Sequence, residues 1–487
     1  MKWEFYGRQQ ELKELVALLS RNRWFFVRIS GRRRIGKTTL IQEALKQTGR
    51  DRIIYAQIPD SDPAGVLSAI TDAMDIFHLS PEDHPRPTSL LELAKTIAHL
   101  AQSGYIIALD EFQYFNRKRL FEFTSFLQAE VDRLSSMAHK VPGGLFVLGS
   151  IHTEMTALLE DRSAPLFNRV TNDFRLEHLD VESVLQILRS HGNPSADNLL
   201  FLWNLFEGVP KFYRDCFEAE VLGSSRQQLL EKMFFMSSSP LRTEADNWFL
   251  KELRGRYDVI LKFIARNPGC SRGQIRSHVR DMSPKTEEQI GSYLAILSDR
   301  YRMVEVKQPI FAKPNARKGR YYISDNFLRS WLSSLAQPVA AVQFTPPLTL
   351  IAEADRRLSI AEGYGLERLV AKLYEERSRK AVGDFPLSAR IEGFWDAKGN
   401  EIDVIALSES TNRIRFVSCK RSPGKLLGDQ IGFNTHVEKF LAKNLRFRHW
   451  KIEKAMIAPS ISKEIATKLT AAGYIVEDLQ SLAAGLG

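Results

Sequence analysis

The chain has 487 residues, of which 44% are hydrophobic and 26% charged, so it can form several domains with cores of their own and is neither a disordered nor a fibrous polypeptide. Lys and Arg number 68 against 58 Asp and Glu, and the resulting formal charge of +10 favours anionic partners without fixing a fold. Cys216, Cys270 and Cys419 lie far apart, which argues against a disulfide framework and a CxxC zinc site, and no apolar run reaches the ~20 residues of a membrane span.

The N-terminus, Met1-Lys2-Trp3-Glu4, lacks the apolar core of a secretion signal, so a soluble, cytoplasmic chain is expected. Residues 1–175 alternate between strand and helix patterns. Strands are predicted at Trp24–Ile29, Ile53–Ile58, Tyr105–Leu109 and Leu145–Leu148, with helices at Thr38–Leu45, Leu90–Ala101 and Phe121–Leu134. That alternation predicts an α/β fold with a mostly parallel sheet covered on both faces. Residues 176–250 become helical, with Val181–Arg189 and Asn198–Phe206 as the clearest segments, and read as a lid.

Residues 251–337 predict three helices, Arg256–Arg266, Arg272–Val279 and Thr286–Ser298, then a hairpin of Met303–Ile310 and Gly319–Ile323. Three helices followed by a hairpin is the winged-helix pattern. Pro338, Pro346 and Pro347 mark Gln337–Pro347 as a linker, and residues 348–487 return to mixed α/β.

Gly31-Arg32-Arg33-Arg34-Ile35-Gly36-Lys37-Thr38-Thr39 matches G-x-x-x-x-G-K-[ST] in full, between a predicted strand and a predicted helix. The glycines let backbone N–H groups wrap phosphates. Lys37 is expected on the β/γ-phosphates and the Thr38 hydroxyl on Mg²⁺. The expected nucleotide contacts are Gly31, Arg34, Gly36, Lys37, Thr38, Thr39 and Ser150, with ATP and Mg²⁺ as cofactors. Asp110, at the end of an apolar strand, is placed for the Mg²⁺ shell, and Glu111 for the attacking water. Ser150 ends a further strand, where it is either a γ-phosphate sensor or an ordinary strand-end serine. Arg169 is either an arginine finger, acting within one subunit or across a homo-oligomer, or a solvated surface residue.

Four segments carry a family resemblance: Phe5-Tyr6-Gly7-Arg8 with Glu11-Leu12, the arginine-rich loop, Gly208-Val209-Pro210, and the run from Tyr322 to Trp331. Together they resemble the archaeal-type P-loop ATPases of the AAA+/STAND branch. The resemblance implies an ATPase core with a helical lid and a winged helix. Asn168 stands where that group usually has glycine, a departure at the arginine-finger position. In the winged helix, Glu287, Glu288 and Asp299 make the expected recognition helix acidic, while Lys307, Lys313, Arg317, Lys318 and Arg320 make the hairpin basic. The hairpin is therefore the DNA-facing candidate, with a purely structural or protein-contact role as the alternative.

In the C-terminal region Glu367 lies in an apparent helix, Leu366–Glu375, followed by Glu401-Ile402-Asp403 and then Phe416-Val417-Ser418-Cys419-Lys420. Two neighbouring strands would bring Asp403 and Lys420 together for metal and phosphoryl chemistry. This pattern is similar to the restriction-endonuclease-like PD-(D/E)xK domain carried by many archaeal-type ATPases. The resemblance implies a nuclease site at Glu367, Asp403 and Lys420. Ser418 departs from it by replacing a carboxylate, and Glu401 or Asp429 is placed to compensate. Lys439–Lys454 holds six basic residues and one acid, with Phe447 and Trp450 between them, which fits either a DNA contact or a solvated face.

The expected function is an ATPase whose cycle controls a DNA-associated C-terminal module. The alternatives are an ATP-regulated, metal-dependent DNA nuclease and a non-hydrolysing signalling NTPase. No membrane partner is expected.

Overall fold

A computed structural model describes residues 2–150, 152–245, 257–282, 289–313 and 318–486. Thr286, Glu287 and Glu288 of the expected recognition helix lie outside the described residues, as do Arg256 and Arg317. The chain forms two compact units, residues 7–178 and residues 1–6 with 179–487.

The first unit is built on a parallel five-stranded sheet. Its strands are β1 (Phe26–Gly31), β2 (Ile53–Gln57), β3 (Ile106–Asp110), β4 (Gly144–Gly149) and β5 (Asn172–Leu176), in the order β2-β3-β4-β1-β5. Helices α1 (Gln9–Leu19), α2 (Lys37–Thr48), α3 (Pro63–Ile76), α4 (Leu90–Gln102), α5 (Glu122–Ser136) and α6 (His152–Leu159) complete it. β1, β3 and β4 are buried almost throughout, as continuous apolar runs should be in a parallel sheet. β5 has no such run; only Phe174 and Leu176 of its five residues are buried. It is held at the edge by Arg28 of β1. The Arg28 guanidinium is 3% exposed and pairs with Asp173 and, at 2.6 Å, with Glu160.

The second unit begins with α7 (Val181–His191), α8 (Ala196–Phe206), α9 (Pro210–Glu218) and α10 (Arg226–Leu230). Gly208 is required before α9, because a Cβ there would lie 2.1 Å from the Leu179 carbonyl oxygen. Pro210 then opens α9, where its fixed φ suits the first helical position. Trp3 and Tyr6 of the N-terminal arm pack with His191 and Phe217. Next come α11 (Tyr257–Arg266), β6 (Cys270–Ser271), α12 (Arg272–Met282), α13 (Ile290–Ala295), β7 (Val304–Lys307) and β8 (Arg320–Ile323), the strands pairing as β6-β8-β7.

The run from Tyr322 to Trp331 fastens this region to α8. Within it α14 (Asn326–Ser330) is capped by Asp325. The Asn326 amide donates to Trp203 O at 2.9 Å, Arg329 to Asn204 Oδ1 at 2.5 Å, and the Ser330 hydroxyl to Asn204 O at 2.9 Å.

Where a linker was expected, the structure has α15 (Ala336–Ala340) and then α16 (Pro347–Arg379), a helix of 33 residues. Pro347 is its first residue, so the proline begins a helix rather than interrupting one. A mixed sheet follows, of β9 (Glu392–Trp395), β10 (Glu401–Ser408), β11 (Arg413–Cys419), β12 (Lys451–Ala458) and β13 (Ile475–Asp478), in the order β13-β12-β11-β10-β9. α17 (Gly424–Lys443) connects β11 to β12, α18 (Lys463–Ala471) connects β12 to β13, and α19 (Leu479–Ala483) closes the chain.

One buried apolar core runs from Leu179 to Leu486, taking in the lid, the middle helices, α16 and one face of the C-terminal sheet. Polar contacts of α16 follow the same path. Glu362 is fully buried and pairs with Arg226 of α10 and, at 2.7 Å, with Arg421 just beyond β11. Glu376 accepts the Val181 and Glu182 amides at the start of α7, at 2.7 and 3.2 Å.

Burial pushes the Glu376 carboxyl from 4.5 up to about 7, against the Val181 hydrogen bond. Between these values the unfolded chain gives up a proton that the folded chain keeps. Stability therefore falls as pH rises through this window and levels off above it, a cost on the order of 3 kcal/mol. Glu376→Gln is expected to flatten the melting-temperature profile between roughly pH 4.5 and 7. An unchanged slope would assign the dependence to other groups.

Candidate functional site

The loop after β1 is held by backbone shape before any side chain acts. Gly31 (φ 152°), Arg34 (φ 65°) and Gly36 (φ 91°) all have positive φ. At Gly31 a Cβ would meet the Leu176 carbonyl oxygen at 2.5 Å, so no larger residue fits. Successive N–H groups turned inward by such a loop form an anion cradle at the start of α2. Arg8 supports it from outside, donating to Ile35 O at 3.4 Å and to Glu177 O.

Lys37 is folded back over this cradle, 9% exposed, with Nζ donating to Gly31 O at 3.0 Å and Arg32 O at 3.2 Å. Burial pushes its ammonium down, against the pull of Asp110 and Glu111. The strand order carries the acids to it. β4 separates β1 from β3, and Asp110 ends β3. Asp110 accepts from Thr38 Oγ1 at 3.5 Å, from Tyr55 Oη at 2.6 Å and from the Glu111 amide at 2.8 Å. Burial and the Asp110 carboxylate hold the Tyr55 phenol well above its ordinary value.

Glu111 has a left-handed backbone (φ 55°) that turns the chain sharply out of the strand. Its carboxylate accepts from Ser150 Oγ at 3.1 Å and from the Gln113 amide. Gln113 is almost fully buried, and its Oε1 has no hydrogen-bond partner. Lys37, Thr38, Asp110, Glu111 and Ser150 thus gather at one end of the sheet. Tyr55 and Gln113 join them without having been anticipated. Tyr55 reads in sequence as an ordinary strand residue, and only the pairing of β2 with β3 takes its hydroxyl to Asp110.

Arg169 is not part of this group. It forms a two-pronged ion pair with Asp132 of α5, at 2.8 and 2.9 Å. It stands two residues before Thr171, whose N–H donates to Phe26 O at the opposite end of β1 from the loop, about 20 Å away by strand length. Arg169 is therefore held on α5, apart from Lys37, Asp110 and Glu111. A cleft of about 310 Å³ lined by Trp24, Ser135 and Thr171, among others, opens at that far end of β1 and contains none of the loop residues.

A second polar group lies in the C-terminal sheet. Asp403 of β10 accepts from the Cys419 amide at 2.8 Å and from Lys420 Nζ at 3.4 Å. Lys420 also lies 3.3 Å from Asp429 of α17, and Ser418 Oγ donates to the same Asp429 oxygen at 2.6 Å. Of the two carboxylates expected to make good the loss at Ser418, Asp429 is therefore the one alongside it. Glu401 is drawn away into an ion pair with Arg320 of β8. Burial, then the Asp403 and Glu401 charges, hold the Glu367 carboxyl well above the carboxylate range. Burial raises Asp403 too, against Lys420. Burial works against the Lys420 ammonium, but Asp403 and Asp429 raise it. The ammonium stands between the carboxylates, and among the described residues no three His, Cys, Asp or Glu gather as a metal site.

No protein-family model matches the chain. It is 24% identical over 424 residues to the uncharacterized protein MJECL04 of Methanocaldococcus jannaschii, covering 85% of this chain and 87% of that one. Among solved structures, the Walker-type ATPase PABY2304 of Pyrococcus abyssi is similar at TM-score 0.51 and 18% identity, over 67% of this chain and 96% of that one. ORC2 of Aeropyrum pernix, solved as ADPNP and ADP complexes, is similar at TM-score 0.45 and 15% identity, over 72% and 96%. The likeness to PABY2304 gives the fold alone, an α/β fold with a five-stranded parallel sheet consistent with a P-loop NTPase. Among the described residues, no helix is long and apolar enough to cross a membrane.

Lys37→Ala is expected to abolish binding of a fluorescent ATP analogue. Tyr55→Phe removes one of the three hydrogen bonds that orient Asp110, so it should weaken only the Mg²⁺-dependent part of binding, by about tenfold. Unaltered Mg²⁺ dependence in that titration would remove Tyr55 from the site.

Proposed function

We propose that residues 7–178 bind and hydrolyse ATP, and that the nucleotide cycle controls a DNA-associated module in the second unit. The observation that carries the first part is a pair of hydrogen bonds, one joining the loop to Asp110 and the other joining Glu111 to the residue after β4. Thr38 meets Asp110, and Glu111 is gripped by Ser150 beside it. A nucleotide-binding switch needs only the first of these acids, whereas hydrolysis uses the second.

When bound, ATP supplies the phosphoryl group and Mg²⁺ the charge that offsets its oxygens. The chain does the rest. Amides of Gly31–Gly36 receive phosphate oxygens, and Lys37 turns its donors from the Gly31 and Arg32 carbonyls toward them. Thr38 and Asp110 are the residues that would hold Mg²⁺. Glu111 accepts the proton of the attacking water at its carboxylate, while Ser150 and Gln113 fix its direction. Thr39 and Arg34 flank the cradle. Arg169 enters this scheme only across a homo-oligomer interface, after release from Asp132.

Glu111→Gln is expected to keep ATP affinity and to lower phosphate release about a hundredfold or more. Hydrolysis at the wild-type rate would take the role of base away from Glu111.

The second part rests on element order. Three helices and the sheet β6-β8-β7 support a winged-helix reading of the middle region. Helix, three strands, helix, strand, helix, strand support a PD-(D/E)xK-like reading of residues 348–487. Because Lys420 spans Asp403 and Asp429, the module is read as a binder of DNA, not a cutter of it. Plasmid and linear duplex incubated with Mg²⁺ or Mn²⁺, with and without ATP, are expected to remain intact. Cleavage by the wild type that disappears in Asp403→Ala would establish the metal-dependent nuclease reading in its place.

A further inference from the structure

The β7–β8 hairpin is not a free wing. The Ile310 N–H donates to Gly393 O on the edge strand β9 at 3.0 Å, and the Ile310 side chain enters the core beneath α17. Phe311 lies against Phe440 and Phe447, with tilted rings and centroids 6.2 and 5.7 Å away, and the Arg446 guanidinium lies over the Phe311 ring at 3.8 Å. On the returning arm, the Trp395 indole donates to Lys318 O at 2.9 Å. Arg320 lies 4.7 Å over the Trp395 ring and pairs with Glu401. Both arms of the hairpin are therefore fastened to the C-terminal sheet.

This fastening merges two basic segments that are separate in sequence. Lys313 and Lys318 are exposed on the hairpin, and Lys439, Lys443, Arg446 and Arg448 on the end of α17 and the turn after it. Lys439 and Lys443 share one stripe of the helix, four residues apart. Opposing charge is scarce. No Asp or Glu occurs between positions 306 and 324. Glu453 is the only acid from 439 to 454, and it is 7% exposed and held by Arg413 and Arg415. Asp396 is neutralised by Lys443 at 2.6 Å. The exposed positions of α13 and the turn after it are instead Ser292, Ala295, Asp299 and Arg300, with no net positive charge.

We infer that duplex DNA is held through its phosphate backbone on this composite face of hairpin and α17, and not on α13. The inference rests on the DNA-associated reading of the second unit and assigns it a surface. Lysines and arginines spread over a rigid face neutralise phosphates without reading bases, so binding is sequence-independent and steeply salt-dependent. Arg446, stacked on Phe311, ties the two halves together.

The test measures anisotropy of a fluorescent 30-base-pair duplex of arbitrary sequence against salt, with ATP hydrolysis assayed in parallel. The variants are Lys313→Glu/Lys318→Glu on one half, Lys439→Glu/Arg448→Glu on the other, and Ser292→Glu/Ala295→Glu on α13. All of these side chains are exposed, and their melting temperatures should match the wild type. Each of the first two pairs is expected to lower affinity about tenfold or more and to reduce the salt slope by roughly two. The α13 pair should stay within about twofold of the wild type. Duplex binding that survives both basic-face pairs, or is lost only with the α13 pair, overturns this placement and leaves the DNA-associated reading intact. A wild-type chain that binds no duplex while hydrolysing ATP overturns both.

Discussion

Helix α16 is the constraint on which the second unit depends. Its apolar residues recur every three to four positions from Leu350 to Tyr374, and they share one core with the lid, the middle helices and the C-terminal sheet. Glu362 sits within that core between Arg226 and Arg421. A carboxylate buried between two guanidiniums adds little net stability compared with apolar residues, but removing one partner leaves an uncompensated charge that costs about 3–5 kcal/mol. Such a contact therefore enforces one arrangement of lid and sheet more than it strengthens the fold. Glu376 acts alike at the start of α7, where a buried carboxyl accepts two helix-end amides that would otherwise lack partners.

Asn204 of α8 accepts from both Arg329 and Ser330, which ties α8 to α14. Arg421, held by Glu362, directly follows Lys420, which spans Asp403 and Asp429. Within the second unit, Glu362 thus joins α10 and α16 to the segment just beyond β11. The chain passes between the two units only at 6–7 and 178–179.

The two polar groups differ in a way that sets their chemistry. Beside the phosphate loop, the carboxylates of Asp110 and Glu111 are oriented by neutral donors, Tyr55, Thr38, Ser150 and Gln113, which leave their charge available to an incoming cation or proton. In the C-terminal sheet the neutralising charge is already present as Lys420, and burial favours protonation of Glu367. The first group is held by neutral donors, the second by an internal ammonium.

The sequence by itself determined the local features. Gly31–Thr39 carries its own backbone requirement, since the positive φ of Gly31 and Gly36 and the space at Gly31 admit glycine alone or nearly so. Asp110 and Glu111 were legible because an apolar run ends there, and Gly208-Val209-Pro210 because glycine and proline each answer a local steric demand. Tertiary structure decided whatever depends on which strands become neighbours. Tyr55 reaches Asp110 only because β2 pairs with β3, and β4 lies between β3 and the loop strand. Of Glu401 and Asp429, only the fold decides that Asp429, on a helix eleven residues on (429 − 418), stands beside Ser418. Arg169 reads in sequence as either a finger or a surface residue, and the fold pairs it with Asp132. Pro346 and Pro347 resembled a linker because proline signals a break in sequence, whereas at the first turn of α16 it costs no hydrogen bond. Short-range steric rules are written in adjacent residues. Long-range pairing is fixed by burial of the whole core, and no segment carries that information alone.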